Sequence, residues 1–131
     1  MPEILYYTAA NGASPFREWL SGLDGDARRR VAAVLLRMQS ENLGDFKSVG
    51  GGVLERRMNF GPGYRAYFGR DGDESIVLLA GGTKRRQSSD IRAARRLWSE
   101  YLERRERQQT EAGGDSDRDA NGEPAGDDPP D

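Results

Sequence analysis

Two tight turns lying close together constrain the fold of this chain more than any other sequence feature. Segments with the composition of strands cover Val53 to Phe60, Tyr64 to Arg70 and Ile76 to Ala80. Gly61-Pro62-Gly63 separates the first two segments, and Asp71-Gly72-Asp73-Glu74 separates the last two. Parallel neighbours need a crossover of roughly a dozen residues or more, so connections this short predict three antiparallel strands in a meander.

Further elements on both sides of the meander are indicated by capping residues and apolar periodicity. They are a strand over Ile4 to Thr8, a helix opened by Ser14-Pro15 and ending near Gly22, a helix from Asp24 or Asp26 to about Asn42–Gly44, and a last helix from about Arg86 to Arg107. The order β-α-α-β-β-β-α predicts an α+β domain with an antiparallel sheet, a helical hairpin and a C-terminal helix.

The charge of the chain is divided unevenly. Thr110 to Asp131 contains no Val, Ile, Leu, Met or aromatic residue, so it cannot bury a core, and we expect an acidic disordered tail there. This tail holds eight acids and one base, which leaves residues 1–109 with 19 bases, 14 acids and a net charge of +5. Arginine supplies nearly all of the positive charge and suits phosphate, so the domain favours a polyanionic partner. A coding bias towards arginine would produce the same excess without a functional cause.

Several classes of function are excluded by missing residue types. The chain has no cysteine and no histidine, so it lacks a Ser-His-Asp triad, a Cys-His dyad, thiolate or histidine zinc ligands and a two-histidine ribonuclease site. We expect neither a metal nor another cofactor. Because we find no secretory signal and no membrane span, we expect a cytoplasmic protein without a membrane partner.

Alternation along the strands predicts where chemistry could reside. Glu55, Arg57, Arg65 and Tyr67 are expected to project together from one face of the sheet, away from the core. Lys84 and Arg85 follow the third strand and could reach the edge of that face. Cations beside a phenol and a carboxylate could bind a phosphate. The alternative is an ordinary solvated face whose ion pairs each contribute under about 1 kcal/mol.

The domain also carries an ordered series of short motifs. They are Phe16-x-x-Trp19-Leu20, Asn42-x-Gly44-Asp45-x-Lys47-x-Val49-Gly50, Gly52-Val53-x-Glu55-x-Arg57, Phe60-Gly61-Pro62-Gly63-Tyr64-Arg65-x-Tyr67-Phe68, Leu78-Leu79-x-Gly81-Gly82-x-Lys84 and Gln87-x-x-Asp90-Ile91. With these motifs the chain resembles the RelE/ParE/HigB toxin superfamily, and within it the phage-derived subgroup often labelled addiction module killer proteins. The resemblance covers about Leu5 to Tyr101 and leaves out the acidic tail.

The resemblance implies a RelE-like fold and the toxin of a type II toxin–antitoxin system. It also implies an endoribonuclease, an mRNA interferase that inhibits translation by cutting mRNA, which the best-known members of the superfamily do on the ribosome and without a metal. The 2′-hydroxyl attacks the adjacent phosphate. We expect Arg57 and Arg65 to clamp that phosphate, and Tyr67, Lys84 and Glu55 to take part in proton transfer with roles left open. A second set, Lys47, Arg85 and Arg86, is expected to contact RNA. The implied partner is a cognate antitoxin with a helix-turn-helix domain, encoded adjacently.

Two other functions remain open at this stage. A ParE-like inhibitor of DNA gyrase would have the same fold, and fold alone does not choose between targets. A non-catalytic nucleic-acid-binding or repressor module would use the basic face only to contact phosphates. Two residues depart from the subgroup, which commonly has Asp at the position of Thr83 and an aliphatic residue at the position of Arg56. Arg56 falls on the core side of its strand. Either its guanidinium reaches water along an apolar surface, or the strand bulges.

Overall fold

The computed structural model describes residues 1–40 and 42–116, with the backbone alone considered from residue 111 onward. Its elements are β1 (Glu3–Tyr6), α1 (Pro15–Ser21), α2 (Gly25–Gln39), β2 (Phe46–Ser48), β3 (Leu54–Arg57), β4 (Tyr64–Asp71), β5 (Ser75–Thr83), a 3-10 turn (Lys84–Arg86) and α3 (Gln87–Ser116). The protein is therefore α+β, as the sequence predicts. Within the described residues, no helix is both long and apolar enough to cross a membrane.

The chain divides into two compact units, Met1–Ser99 and Glu100–Asp131. The first unit contains the sheet, the helical hairpin and the start of α3. The second, as far as the structure describes it, continues α3 to Ser116, past the domain boundary predicted at Gln109. A formed helix gains one hydrogen bond for each added residue without a new nucleation step, which allows this extension. The remainder of the predicted acidic tail, residues 117–131, lies outside the described residues.

The five strands form one mixed sheet in the order β1-β5-β4-β3-β2. The predicted meander is confirmed, because β3, β4 and β5 pair with their successive neighbours in antiparallel register. The prediction of an antiparallel sheet is wrong for β1, which pairs with β5 in parallel. These two strands are far apart in sequence, and the intervening chain supplies the long connection that a parallel pair requires.

The helical hairpin of α1 and α2 covers one face of this sheet and forms the main core. Asp24 caps α2 by accepting a hydrogen bond from the amide of Ala27 at 3.0 Å. Pro15 occupies the first position of α1, as predicted. The buried residues that meet between the hairpin and the sheet are apolar: Phe16, Val31, Val34, Leu35, Met38, Met58, Ala66, Phe68, Ile76 and Leu78. We call this side the hairpin face.

The first part of α3 covers the opposite side of the sheet, which we call the α3 face. Trp98 lies directly against the backbone of β4, since a β-carbon added at Gly69 would stand 2.5 Å from its ring. Ala94 and Leu97 are buried beside it. The sequence predicts a polar face open to water, and this is wrong for most of its length because α3 occupies it. Both faces of the sheet are therefore covered.

Several element boundaries differ from the predicted ones for identifiable reasons. The short edge strand β2 was not predicted, because its three exposed residues give no periodicity and only pairing with β3 defines it. β5 continues past the predicted end at Ala80 to Thr83, so Gly81 and Gly82 lie inside it. A β-carbon at Gly81 would meet the ring of Trp19 at 2.1 Å, so this glycine allows a close approach rather than ending the strand.

Gly69 provides a direct test of how α3 packs on the sheet. Gly69→Ala should lower the free energy of unfolding by about 1–3 kcal/mol, because the new methyl group overlaps Trp98 in a closely packed interior. Urea denaturation of the whole protein measures this. Gly22→Ala is the matched control, since its β-carbon would meet only backbone oxygens at 3.6 Å. Equal stability of the two variants would contradict the packing described for Trp98.

Candidate functional site

The strand register arranges the predicted site residues in two rows on the α3 face. Lys47, Glu55 and Tyr67 are successive Cα partners across β2, β3 and β4. Arg57 and Arg65 are partners in the adjacent row. Residues directly opposite one another in antiparallel strands point to the same face. The predicted grouping of Glu55, Arg57, Arg65 and Tyr67 on one face is therefore confirmed, although most of that face is not exposed.

Three basic residues have their backbones close to the point where β3 ends and β4 begins, and we call Arg57, Arg65 and Lys84 the cationic rim. Arg57 and Arg65 are directly opposite, a pairing of like charges that disfavours the fold. The amide of Lys84 donates a hydrogen bond to the carbonyl of Gly63 at 2.9 Å. A β-carbon at Gly63 would lie 3.2 Å from the Cβ of Lys84 and 3.9 Å from Nη1 of Arg65. The third cation is thus held at the same turn.

The two arginines of the rim differ in how far they are neutralised. Arg57 forms an ion pair with Asp45 at 2.9 Å, and its side chain remains 37% exposed. The backbone of Arg57 is bonded to the same residue, because its amide donates to the carbonyl of Asp45. Arg65 is only 8% exposed and makes no ion pair within 4.0 Å among the described residues, and the Nε of each arginine is buried without a hydrogen bond there. Arg65 therefore carries the less compensated charge of the pair.

Behind the rim, the first turn of α3 covers a buried polar pair. Glu55 and Tyr67 are both 0% exposed. The Nε2 of Gln87 donates a hydrogen bond to Oε2 of Glu55 at 2.7 Å. Oε1 of Glu55 and the hydroxyl of Tyr67 are buried and make no hydrogen bond of ordinary geometry within the described part of the chain. A substrate on the outside of the protein does not reach this pair while α3 stays in place.

The environment of Tyr67 restricts its role in proton transfer. Burial raises the pKa of the Tyr67 phenol well above its usual range, and the neighbouring carboxylates of Glu55 and Asp90 raise it further. The charge of Arg65 opposes this shift. Tyr67 therefore stays protonated at neutral pH and can donate a hydrogen bond or a proton, but it cannot act as a general base.

Asp90 also approaches the sheet from the first turn of α3. A β-carbon at Gly82 would lie 1.9 Å from Oδ2 of Asp90, so only glycine leaves room for this carboxyl group. Oδ2 is buried and makes no hydrogen bond among the described residues. Burial raises the pKa of Asp90, while Arg86 opposes the shift.

Gln87 and Asp90 are not among the functional residues predicted from the sequence. A signal was present, because they continue the buried stripe of Ala94 and Leu97 one heptad earlier along α3. Two polar residues at the start of an otherwise apolar stripe indicate a buried polar contact. Identifying their partners required the three-dimensional structure.

The other predicted RNA contacts surround the rim at greater distance. Lys47 is exposed on the edge strand, in the row of Glu55. Arg85 and Arg86 are exposed in the 3-10 turn beside Lys84. Arg28, Arg29 and Arg30 in α2 also form a cluster of cations, but the side chains of these residues contact neighbouring residues. For example, Arg28 donates to the carbonyl of Leu23 at 3.0 Å, and Arg30 stacks over the ring of Phe60 at 4.0 Å.

Arg56 lies on the hairpin face, and the register of β3 is unbroken there. The strand therefore does not bulge. The guanidinium packs over the backbone of Gly44, where an added β-carbon would stand 2.6 Å from its Nε, and it donates to the carbonyl of Arg57. Burial and the nearby Arg37 lower the pKa of Arg56, and Asp45 opposes this. Its head group is thus only partly in water.

Neither a metal cluster nor a phosphate loop is evident at the site. In the part of the chain that the structure describes, acidic side chains nowhere gather in threes around a point that a metal ion could occupy. Gly50, Gly51 and Gly52 all adopt positive φ angles, of 92°, 63° and 83°, and form a turn between β2 and β3. The Nε of Arg95 in α3 donates to the carbonyl of Val49 at 2.9 Å and fixes this turn.

Comparison with known proteins gives one informative relative. The chain is 40% identical over 86 residues to a protein of Haemophilus influenzae (strain ATCC 51907 / DSM 11121 / KW20 / Rd) that bears the name "Uncharacterized protein". The match spans 65% of this chain and 87% of the relative. No family model matches the chain.

The shifted pKa of Asp90 leads to a pH-dependent prediction. An acid whose pKa is raised by folding ionises less readily in the folded chain, so its ionisation destabilises the fold as pH rises from about 4 through the folded pKa. Asp90→Asn removes this ionisation. The variant should therefore have a higher Tm than wild type at pH 7, and the difference should disappear near pH 3.

Thermal unfolding at a series of pH values checks this expectation. Asp73→Asn is the control, because Asp73 is exposed in the turn between β4 and β5. A D90N variant that is less stable than wild type at pH 7, or whose Tm difference does not change with pH, would show that burial of the charged form is not the dominant effect.

Proposed function

This chain belongs to the same family as the Haemophilus influenzae protein, and from that basis we propose that it is an RNA-cleaving toxin of a type II toxin–antitoxin system. The motifs that resemble the RelE/ParE/HigB superfamily support the proposal, since they include every residue of the cationic rim. The element order supports a RelE-like fold, with a helical hairpin, a meander and a C-terminal helix. The short strand β2 adds one element to the predicted order, pairs at the far edge of the sheet and leaves the succession of the other elements unchanged.

The cationic rim is the observation that carries the proposal. Two arginines placed directly opposite one another repel, and Asp45 compensates only Arg57. Lys84 adds a third cation at the same turn. This arrangement is unfavourable in the free protein and favourable once an anion lies between the side chains. A phosphate of an RNA backbone is such an anion, and arginine can bind it with two parallel hydrogen bonds.

The rim can support cleavage by the 2′-hydroxyl of RNA itself. In that reaction the O2′–P bond forms, the P–O5′ bond breaks, and a 2′,3′-cyclic phosphate and a 5′-hydroxyl result. One proton leaves the 2′-oxygen and one is delivered to the 5′-oxygen. Arg57 and Arg65 would stabilise the charge that develops on the phosphate oxygens. Lys84 is exposed and carries a proton that it can donate to the leaving 5′-oxygen.

The catalytic groups that the cationic rim does not supply would come from the ribosome. Glu55 and Tyr67 are both buried, and Tyr67 stays protonated, so neither accepts the proton of an RNA hydroxyl in this conformation. The base and part of the substrate geometry would then come from the ribosome on which mRNA is cut. An adjacently encoded antitoxin would restrain the toxin. Lys47, Arg85 and Arg86, which surround the rim, would contact the neighbouring phosphates.

The burial of Glu55 and Tyr67 favours one alternative, a nucleic-acid-binding module without catalysis. In that case the rim would bind phosphates, and the affinity would fall steeply with salt concentration. The distinction is experimental, because such a protein would retard RNA on a gel but leave it intact. A ParE-like action on DNA gyrase would instead leave translation unaffected and block supercoiling.

Replacing Arg57 and Arg65 by alanine together should abolish growth arrest and mRNA cleavage. A charge-assisted hydrogen bond is typically worth about 1.5–3 kcal/mol, so losing two should slow cleavage about 100-fold or more. The measurement is primer extension on mRNA from a translation extract that contains the purified protein. Arg29→Ala with Arg92→Ala is the matched control, because it removes two exposed arginines elsewhere.

Two results would contradict the assignment. If R57A/R65A cuts mRNA as fast as the control, the rim is not the site. If wild type leaves mRNA intact but inhibits supercoiling by purified gyrase, the target is DNA gyrase. Binding without cleavage would establish the non-catalytic alternative.

A further inference from the structure

The first turn of α3 touches the sheet at two points that lie immediately behind the cationic rim. Gln87 bonds to Glu55, which precedes Arg57 by two residues on β3. Asp90 lies against Gly82, which is the Cα partner of Arg65 on β4. Residues three apart on a helix share one face, so the two side chains act from the same turn. Each contact is made with a strand segment that carries, or pairs with, an arginine of the rim.

The same turn determines where the third cation of the rim lies. Lys84 begins the 3-10 turn that leads directly into Gln87. The backbone of Lys84 is fixed on one side by its hydrogen bond to Gly63. On the other side it is fixed by the start of α3, whose position depends on the contacts of Gln87 and Asp90. All three cations of the rim are therefore connected through short backbone segments to this one helical turn.

The hydrogen bond from Gln87 also has an unusual chemical setting. It is made to a carboxyl group that is completely buried, and the donor is a neutral amide rather than a cation. A core position without functional demands favours an apolar residue over a carboxyl group. The placement of Gln87 against Glu55 is thus not explained by packing.

We propose that Gln87 and Asp90 are positioning residues of the RNA-cleaving site, which hold Glu55 and Gly82 so that Arg57, Arg65 and Lys84 converge on one phosphate. This inference rests on the proposed function. Neither side chain is expected to touch RNA. Their effect should appear in the rate of the chemical step, kcat, and not in the apparent affinity for the substrate, KM.

The test uses Gln87→Met, which keeps the length of the side chain and removes the hydrogen-bond donor. Cleavage of mRNA is measured in a translation extract at several ribosome concentrations, at least 20 °C below the Tm of each variant. We expect kcat to fall about tenfold or more with KM within about twofold of wild type. Ser88→Ala, in the same turn but exposed, is the control and should behave like wild type.

Asp90→Asn tests the second contact under the same conditions. It preserves the size of the side chain but replaces a carboxyl oxygen beside Gly82 by an amide group, which alters the close approach. We expect kcat to fall at least threefold, even though the variant is more stable at neutral pH. A gain in stability with a loss in rate is not produced by a purely structural residue. Unchanged kcat in both Q87M and D90N would overturn the proposal.

A paired variant keeps the test decisive if Q87M does not fold. Glu55→Met with Gln87→Met removes both partners of the hydrogen bond, so neither is left buried without the other, and such exchanges are often close to neutral for stability. The proposal expects this variant to fold and to cleave at least tenfold more slowly than wild type. Cleavage within about twofold of wild type would show that the pair is only structural and would overturn the inference.

The proposed function is tested separately, by comparing mRNA cleavage by wild type and by R57A/R65A. If wild type cuts mRNA and R57A/R65A does not, the site is established whatever Gln87 and Asp90 do. In that case variants of these two residues that equal S88A overturn this inference alone. A wild-type protein that cuts no mRNA overturns both.

Discussion

The contact of α3 with the sheet determines which residues of the α3 face are buried and which remain exposed. It depends on close approach: Trp98 lies against Gly69 and Gly52, and Asp90 lies against Gly82. At each point a β-carbon would overlap the side chain, so the glycines of β4 and β5 are the condition for this packing. Because the helix can lie so near, residues that would otherwise face water become the interior of a second layer. The sheet has a hydrophobic core on one face and a mixed polar and apolar layer on the other.

In that second layer the apolar contacts stabilise the fold, whereas the buried polar groups do not. Burying an ionised carboxyl group costs several kcal/mol in proteins even after relaxation. One hydrogen bond to a charged acceptor returns about 1.5–3 kcal/mol. Glu55 accepts a hydrogen bond from Gln87 and interacts with the hydroxyl of Tyr67, while Oδ2 of Asp90 makes no hydrogen bond among the described residues. The apolar contacts of Ala94, Leu97 and Trp98 must offset this deficit. Polar groups maintained against such a deficit are expected where function requires them.

Sequence reasoning recovered the parts of this structure that depend on local chemistry. Turn residues and alternation predicted the meander and the shared face of Glu55, Arg57, Arg65 and Tyr67, and the register confirms both. What could not be predicted depends on which element covers a face. Nothing in the periodicity of α3 specifies that it packs over Tyr67. The glycines of β5 resemble a strand end by composition, whereas they are sites of close approach. The contacts of Gln87 and Asp90 follow from that packing, so their roles could not be predicted from the sequence.

Electrostatics connects the buried layer to the rim. Arg57 and Arg65 lie opposite each other in a sheet whose backbone is fixed by pairing on both sides, so their Cα atoms stay side by side while the ladder is intact. Asp45 relieves only part of their repulsion. An anion that binds between them gains its own attraction and also removes a repulsion already present in the free protein, so binding should stabilise the folded state by linkage. The rigidity that α3 gives to the strands therefore favours the binding of a phosphate. A looser sheet would let the cations separate in the absence of ligand and would have to gather them again, at an entropic cost, each time a phosphate bound.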